Sequence, residues 1–290
     1  MHNLIEQFLQ SLQEKDASPL TAKGYSNDLQ KFTIWYAQTE GSIPEAEHIS
    51  PMDIAEFKRH FMNRNQKPST INRALSSLSS FFKWAIDAGY VSHNPAEKIK
   101  LISEVKSAPR SLERKESLKL IRAVYRSDKP RDICIVTVLL HTGIRVSELC
   151  VLRLEDVVIK ERTGNLTVRA GKGSKYRQVP LNATARNSIE KWLEVRGNEP
   201  GLLFPGRNGK PLTSRTIEYM LEKYSYDARL EETASPHVLR HTFCKDLIDA
   251  GESIDRVASL AGHENLNTTA RYTRATAKDL QDAVDKLSWE

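Results

Sequence analysis

A chain of 290 residues, 39% hydrophobic and 28% charged, is long enough for two domains of ordinary size and has the profile of a globular protein. No apolar run approaches the roughly 20 residues a membrane-spanning helix needs. The opening MHNLIEQFLQSLQEK alternates apolar and polar residues at helical spacing, unlike a signal peptide, so a cytoplasmic protein with no membrane partner is expected. Cys134, Cys150 and Cys244 lie far apart with no C-x-x-C, so neither a disulfide framework nor a thiolate zinc site is indicated, and reduced, mostly buried thiols are expected. The net charge of +6 is unevenly placed: residues 1–107 hold 12 Lys or Arg against 12 Asp or Glu, so the whole excess lies in 108–290. Such an excess points weakly to a polyanionic partner such as nucleic acid.

Residues 1–93 read as helices separated by short breaks: LIEQFLQSLQ, TAKGYSNDLQKFTIWYAQ, SPMDIAEFKRHFMNR and STINRALSSLSSFFKWAIDAGY. In the last, Ile71, Leu75, Leu78, Phe82 and Ile86 recur at helical spacing, Pro68 and Ser69 mark the start and Gly89 the stop. Together these segments predict a small helical bundle. The opposite face of the last helix carries Arg73, Ser76, Ser77, Ser80 and Lys83. Small hydroxyls let a helix approach a phosphate backbone closely while cations neutralise it, so these are candidate DNA contacts; a merely solvated face is the alternative. Residues 94–109 sustain no period and end in a proline, and are read as a linker to a second domain over 110–290.

In that domain SLERKESLKLIRAVYR is helical by spacing, although Ser111 followed by Arg114 makes no capping box. DICIVTVLLHTG predicts a buried helix ending at Gly143, and GIRVSELCVLRLEDV another helix. NLTVRAGKGSKYRQVPL predicts two short strands about a Gly-rich turn, with Leu166 and Val168 alternating on one side and Val179 and Leu181 on the other. PLTSRTIEYMLEKYSYDA, SPHVLRHTFCKDLIDAG, SIDRVASLAGH and ATAKDLQDAVDKL return to helical spacing. The predicted class is mainly α with a small antiparallel β-sheet (α+β).

Candidate chemistry gathers at Arg145 in HTGIRVSEL, Lys172 in GKGSK, His237, Arg240 and His241 in PHVLRH, and His263 and Tyr272 in GHENLNTTARYTRAT. Each has an ordinary alternative: Arg145 pairing with Glu148, Lys172 as an exposed turn residue, the histidines as satisfied interior groups. On a helix, however, His237, Arg240 and His241 point in nearby directions and could face one anion. His237 and His241 at i and i+4 also invite a zinc site with Cys244, but no Glu occupies the H-E-x-x-H position and Arg240 would repel a cation.

With a nucleic-acid partner, this set suits phosphoryl transfer without a metal or other cofactor. Negative charge on the non-bridging oxygens is matched by the guanidinium forks of Arg145 and Arg240. Tyr272 can form a covalent phosphotyrosine, and Lys172 on a Gly-flanked turn can donate a proton to the leaving oxygen.

TGIRVSEL, GKGSK, HVLRH and GH followed nine residues later by Tyr272 resemble, in that order, the tyrosine recombinases of the lambda-integrase family, most closely the Xer-type members. INRALSSLSSFFKWAIDAGYVSHNP is similar to the end of that family's helical core-binding domain, so the likeness spans nearly the whole chain. The resemblance implies a core-binding domain over 1–93 and a mixed, mainly helical catalytic domain over 110–290. It implies that Arg145 and Arg240 clamp the scissile phosphate, Lys172 is the general acid, His237 handles a proton, His263 donates to the phosphate and Tyr272 is the nucleophile. Glu148 falls at a supporting acidic position and His241 at one of less defined role, while Lys175 and Arg177 are expected as further DNA contacts.

The implied function is site-specific recombination of duplex DNA through a 3′-phosphotyrosine and a Holliday junction, without metal or ATP. Four protomers on two sites are implied, with a second recombinase or accessory protein as a conceivable partner. The outcome would be dimer resolution, or integration or excision of a mobile element. Arg274 stands where many members have His, and the chain opens almost directly on core-binding helices, so a short recombination site with no arm-type domain is expected. The stripe Ala277, Leu280, Val284 and Leu287 predicts a terminal helix, for which folding back on its own domain is one alternative; the resemblance implies that it docks on a neighbouring protomer. A DNA-binding accessory protein with this fold but no catalysis is the main alternative, and a metal-dependent hydrolase a third.

Overall fold

The computed structural model describes residues 1–104, 109–169, 176–263 and 266–269. It divides into two compact units, Met1–Lys106 and Ser107–Glu290.

The first unit is built from α1 (His2–Glu14), α2 (Pro19–Glu40), α3 (Pro51–Asn63) and α4 (Pro68–Asp87). Their starts follow local chemistry. Ser18 accepts from the Thr21 N–H ahead of Pro19, and Ser50 and Asp53 form a reciprocal capping box around Pro51. The bundle closes on an aromatic centre of Phe8, Phe32, Phe57, Phe81 and Phe82, each at most 2% exposed. Burying each contributes about 2–3 kcal/mol. Ile71, Leu75, Leu78 and Phe82 face this core as predicted, whereas Ile86, the penultimate residue of α4, is exposed.

Two expectations for this unit change. Ser77 is buried and donates to Asp28 Oδ2 at 2.9 Å, because it falls in phase with Ala74, Leu78 and Phe81 on the inner stripe. The stretch assigned to a linker from residue 94 is, as far as 104, tied to α4. Asn94 donates to Ser79, Ile102 N–H donates to Asn72 Oδ1 (2.8 Å), and Asn72 Nδ2 donates back to the Ile102 carbonyl (2.9 Å).

The second unit contains α5 (Arg114–Arg126), α6 (Pro130–Thr142), α7 (Val146–Val151), β1 (Val157–Ile159), β2 (Gly164–Arg169), β3 (Tyr176–Pro180), α8 (Ala183–Arg196), α9 (Ser214–Asp227), α10 (Pro236–Asp249) and α11 (Ile254–Ala261), then a last turn over Leu266–Thr269. The strands form one antiparallel sheet in the order β1–β2–β3, with Leu166 opposite Val157 and Val179. Buried α6 packs between α8 and α10, and the core gathers around Ile135, Leu139, Leu166, Ile189, Phe204 and Leu239. Cys134, Cys150 and Cys244 are buried, and burial pushes the Cys134 thiol up to about 12. Among the described residues no helix is long and apolar enough to cross a membrane.

Predicted and observed elements differ at several places. α5 is capped by a Glu113–Glu116 box. The helix predicted across GIRVSELCVLRLEDV stops at Val151. Leu152 turns extended so that its carbonyl can accept from Leu203 N–H (2.7 Å), and a short 3₁₀ turn then leads into β1. This third strand and α8, whose N-cap Asn182 accepts from Ala185 N–H, are additions to the predicted elements. The predicted terminal helix ATAKDLQDAVDKL lies outside the described residues.

Candidate functional site

Two glycines in the left-handed region set the backbone of the site. α6 ends at Gly143 (φ 60°, ψ 17°), where a Cβ would stand 2.2 Å from the Phe243 ring of α10. That close approach lets the Gly143 carbonyl accept from Arg240 Nη1 at 2.6 Å. Gly143→Ala should therefore cost about 2 kcal/mol or more, from left-handed strain and overpacking together, read as an earlier midpoint in urea unfolding. α11 ends at Gly262 (φ 68°, ψ 48°), whose carbonyl accepts from Arg145 Nη2 at 2.8 Å.

Arg145 is the residue before α7. Its N–H donates to Glu148 Oε2 (2.7 Å) and its Nη1 to Glu148 Oε1 (3.0 Å). The pairing with Glu148 anticipated as an ordinary alternative is present, yet the Arg145 side chain keeps 44% of its surface in solvent. Arg240 is the opposite case: it is 2% exposed, and its Nη2 has no hydrogen-bond partner among the described residues. Burial, then the Arg145 charge, push its pKa down to about 10, which leaves it protonated at neutral pH.

Three histidines complete the cluster. His237 and His241 meet edge to face with ring centroids 4.6 Å apart. His263 Nδ1 shares a 2.8 Å hydrogen bond with the buried hydroxyl of Thr269. Burial first, then Arg240, Arg145, His241 and His237, lower the His263 pKa to about 4; burial, Arg240 and Arg145 lower that of His237. Both rings are thus neutral at pH 7 and can donate or accept a proton. These mutual effects bring Arg145, Arg240, His237, His241 and His263 within electrostatic reach of one another as one positively charged cluster, a chemistry suited to an anion.

Glu148 sits beneath it with a side chain 12% exposed. Burial opposes ionisation, but hydrogen bonds from Arg177 and from the Arg145 N–H, with both guanidinium charges, hold the carboxyl below its ordinary value. Arg177, expected as a DNA contact, turns inward: its side chain is 18% exposed and its Nη1 and Nη2 donate to Glu148 at 2.9 and 2.8 Å. The sequence carried a signal for this, since on β3 Arg177 is in phase with Val179 on the inner face. On α4, Arg73, Ser76 and Lys83 are exposed and Ser80 is half-buried; Arg73 pairs with buried Asp28 at 2.9 Å. Lys172, Lys175 and Tyr272 lie outside the described residues. Thr269, Gly143 and Gly262 join the site through contacts that no motif spacing announced. Among the described residues no group of three His, Cys, Asp or Glu side chains is placed to hold a metal, and His237, one of the i and i+4 pair whose sequence context argues against zinc, stands beside the Arg240 and Arg145 guanidinium groups.

The model of the phage integrase family matches residues 110–279, and that of the phage integrase N-terminal SAM-like domain matches residues 5–89. The tyrosine recombinase XerC of Thermodesulfovibrio yellowstonii is 33% identical over 287 residues, covering 95% of this chain and 92% of the relative. XerA of Pyrococcus furiosus is 33% identical over 288 residues, covering 98% and 94%. Among solved structures, XerH bound to its difH substrate in a pre-cleavage complex has a similar fold, with TM-score 0.76 at 24% identity over 99% of this chain and 84% of that one. A lambda integrase dimer bound to a COC′ core site gives 0.75 at 20%, over 95% and 97%. Ordered motifs, the cationic cluster they fold into and matches along nearly the full length agree: this chain belongs to the phage integrase family, as a Xer-like tyrosine recombinase.

Proposed function

We propose that this protein recombines duplex DNA at specific sites by a covalent 3′-phosphotyrosine mechanism at Tyr272. The observation that carries the reading is the buried Arg240 guanidinium, whose Nη2 has no partner among the described residues, beside Arg145 and two neutral histidines. An isolated buried cation is costly; a phosphate seated between two guanidinium forks offsets that cost and is activated by them.

In the proposed step the Tyr272 oxygen attacks phosphorus and its proton passes to a base, a role assigned to His237. The bond to the 5′ oxygen breaks, and Lys172 supplies the proton that makes it a 5′ hydroxyl. With the Thr269 hydroxyl donating to Nδ1, His263 carries its proton on Nε2 and donates to a non-bridging oxygen. Attack by a 5′ hydroxyl of another strand reverses the step, so bond energy is conserved and no nucleotide is consumed. Strand exchange in this scheme passes through a Holliday junction. The exposed α4 side chains Arg73, Ser76 and Lys83, with half-buried Ser80, are assigned to the DNA backbone, and the protein to the cytoplasm, where its substrate is.

The active assembly is assigned as four protomers on two sites, linked by their terminal helices. Supporting this, an apolar groove of about 490 Å³ is lined by Leu140, Phe243, Leu247 and Leu260 and offers a seat for the stripe Ala277, Leu280, Val284 and Leu287. Ending the chain at Thr276 should abolish cooperative binding in gel-shift titrations while a single protomer still binds. Unchanged cooperativity would remove the exchange. The function itself is tested with a nicked suicide substrate in EDTA: a covalent protein–DNA adduct supports it, whereas binding with no adduct would leave the accessory-protein reading.

A further inference from the structure

Resting on the recombinase reading, we propose that Arg177 is a positioning residue that holds Glu148, and through it Arg145, in place. Each oxygen of Glu148 is shared between two elements. Oε1 accepts from Arg177 Nη1 (2.9 Å) and Arg145 Nη1 (3.0 Å), and Oε2 from Arg177 Nη2 (2.8 Å) and the Arg145 N–H (2.7 Å). The β3 guanidinium therefore sets the carboxylate plane, and that plane sets where the Arg145 fork lies. The same group reaches α11, where Arg177 Nε donates to the Leu260 carbonyl at 3.3 Å. It lies so close to Gly262 that a Cβ there would stand 2.7 Å from Cζ, and the Gly262 carbonyl takes Arg145 Nη2.

One planar group thus braces the start of α7, the end of α11 just before His263, and the strand leading out of the segment that contains Lys172. A lysine cannot replace it, because a single ammonium cannot make two parallel bonds to a carboxylate and a third to a carbonyl. Glycine at 262 admits the guanidinium against the backbone, which any side chain would block.

The test compares wild type with Arg177→Lys, Arg177→Met and the double variant Arg177→Met/Glu148→Gln. It measures DNA affinity at several salt concentrations, cleavage of a nicked suicide substrate at saturating protein, thermal melting, and the Arg145 side-chain NMR signals, assigned by their loss in Arg145→Ala. Arg177→Lys is expected to keep affinity and its salt slope within twofold, cleave at least tenfold more slowly at saturation, and shift the Arg145 signals. Arg177→Met should melt several degrees lower, since it strands a buried carboxylate. The double variant should regain melting temperature but not cleavage rate.

Full saturating cleavage with weaker binding and a salt slope reduced by about one would make Arg177 a DNA contact and overturn the proposal. Recovery of rate together with melting in the double variant would reduce it to a structural prop. Absence of any adduct from wild type would sink the recombinase reading; the positioning claim then stands if the Arg145 signals move in Arg177→Lys and falls if they do not.

Discussion

Tyr272→Phe should form no covalent adduct with a nicked suicide substrate while binding the same DNA within about twofold of wild type. The substitution deletes one oxygen and leaves the ring, so a loss confined to the chemical step assigns that oxygen as the nucleophile. A phenol ordinarily ionises near pH 10, so attack at neutral pH needs cationic neighbours and a proton acceptor. In the proposed step the Arg145, Arg240 and histidine cluster supplies both. An adduct from the Phe variant would transfer the role to another residue and dismantle the proposed step.

Arg240→Met should slow cleavage by about 10² to 10³, the cost of losing one pre-organised donor to a developing anionic centre, or by more, because a charge goes with it. Its effect on stability should run the other way. The folded-state pKa of Arg240, about 10, lies below the ordinary 12.5, so folding disfavours the protonated form, and this penalty is present throughout the range below pH 10. Removing the charge while Met retains most of the apolar stem relieves the penalty, set against the lost bond to the Gly143 carbonyl. Melting in the absence of DNA is therefore expected at or above the wild-type temperature, the pattern of a group kept for function at some cost to folding. Cleavage near the wild-type rate would contradict the phosphate clamp; a collapse in melting temperature would make Arg240 a structural residue instead.

Spacing along the chain was sufficient for the helical bundle, the buried α6 ending at Gly143, the β2–β3 hairpin and the ordered motifs around Arg145, Arg240 and His263, because helical and strand periods and turn residues act within a few positions. Partners are a different matter. Arg240 finds the Gly143 carbonyl across 97 positions, Arg145 finds that of Gly262 across 117, and Arg177 finds Glu148 across 29. Those pairings depend on how α6, α10, α11 and the sheet come together in space. By polarity Ser77 and Arg177 are surface groups, yet their phases on α4 and β3 carry them inward, where Asp28 and Glu148 satisfy them. α7 shows the same limit, since its apolar pattern runs on past Val151 and the helix ends there because the Leu152 carbonyl bonds to Leu203. The sequence alone determined which residue types were available and in what order; tertiary structure decided which of them share a charge, since burial and proximity belong to the folded chain.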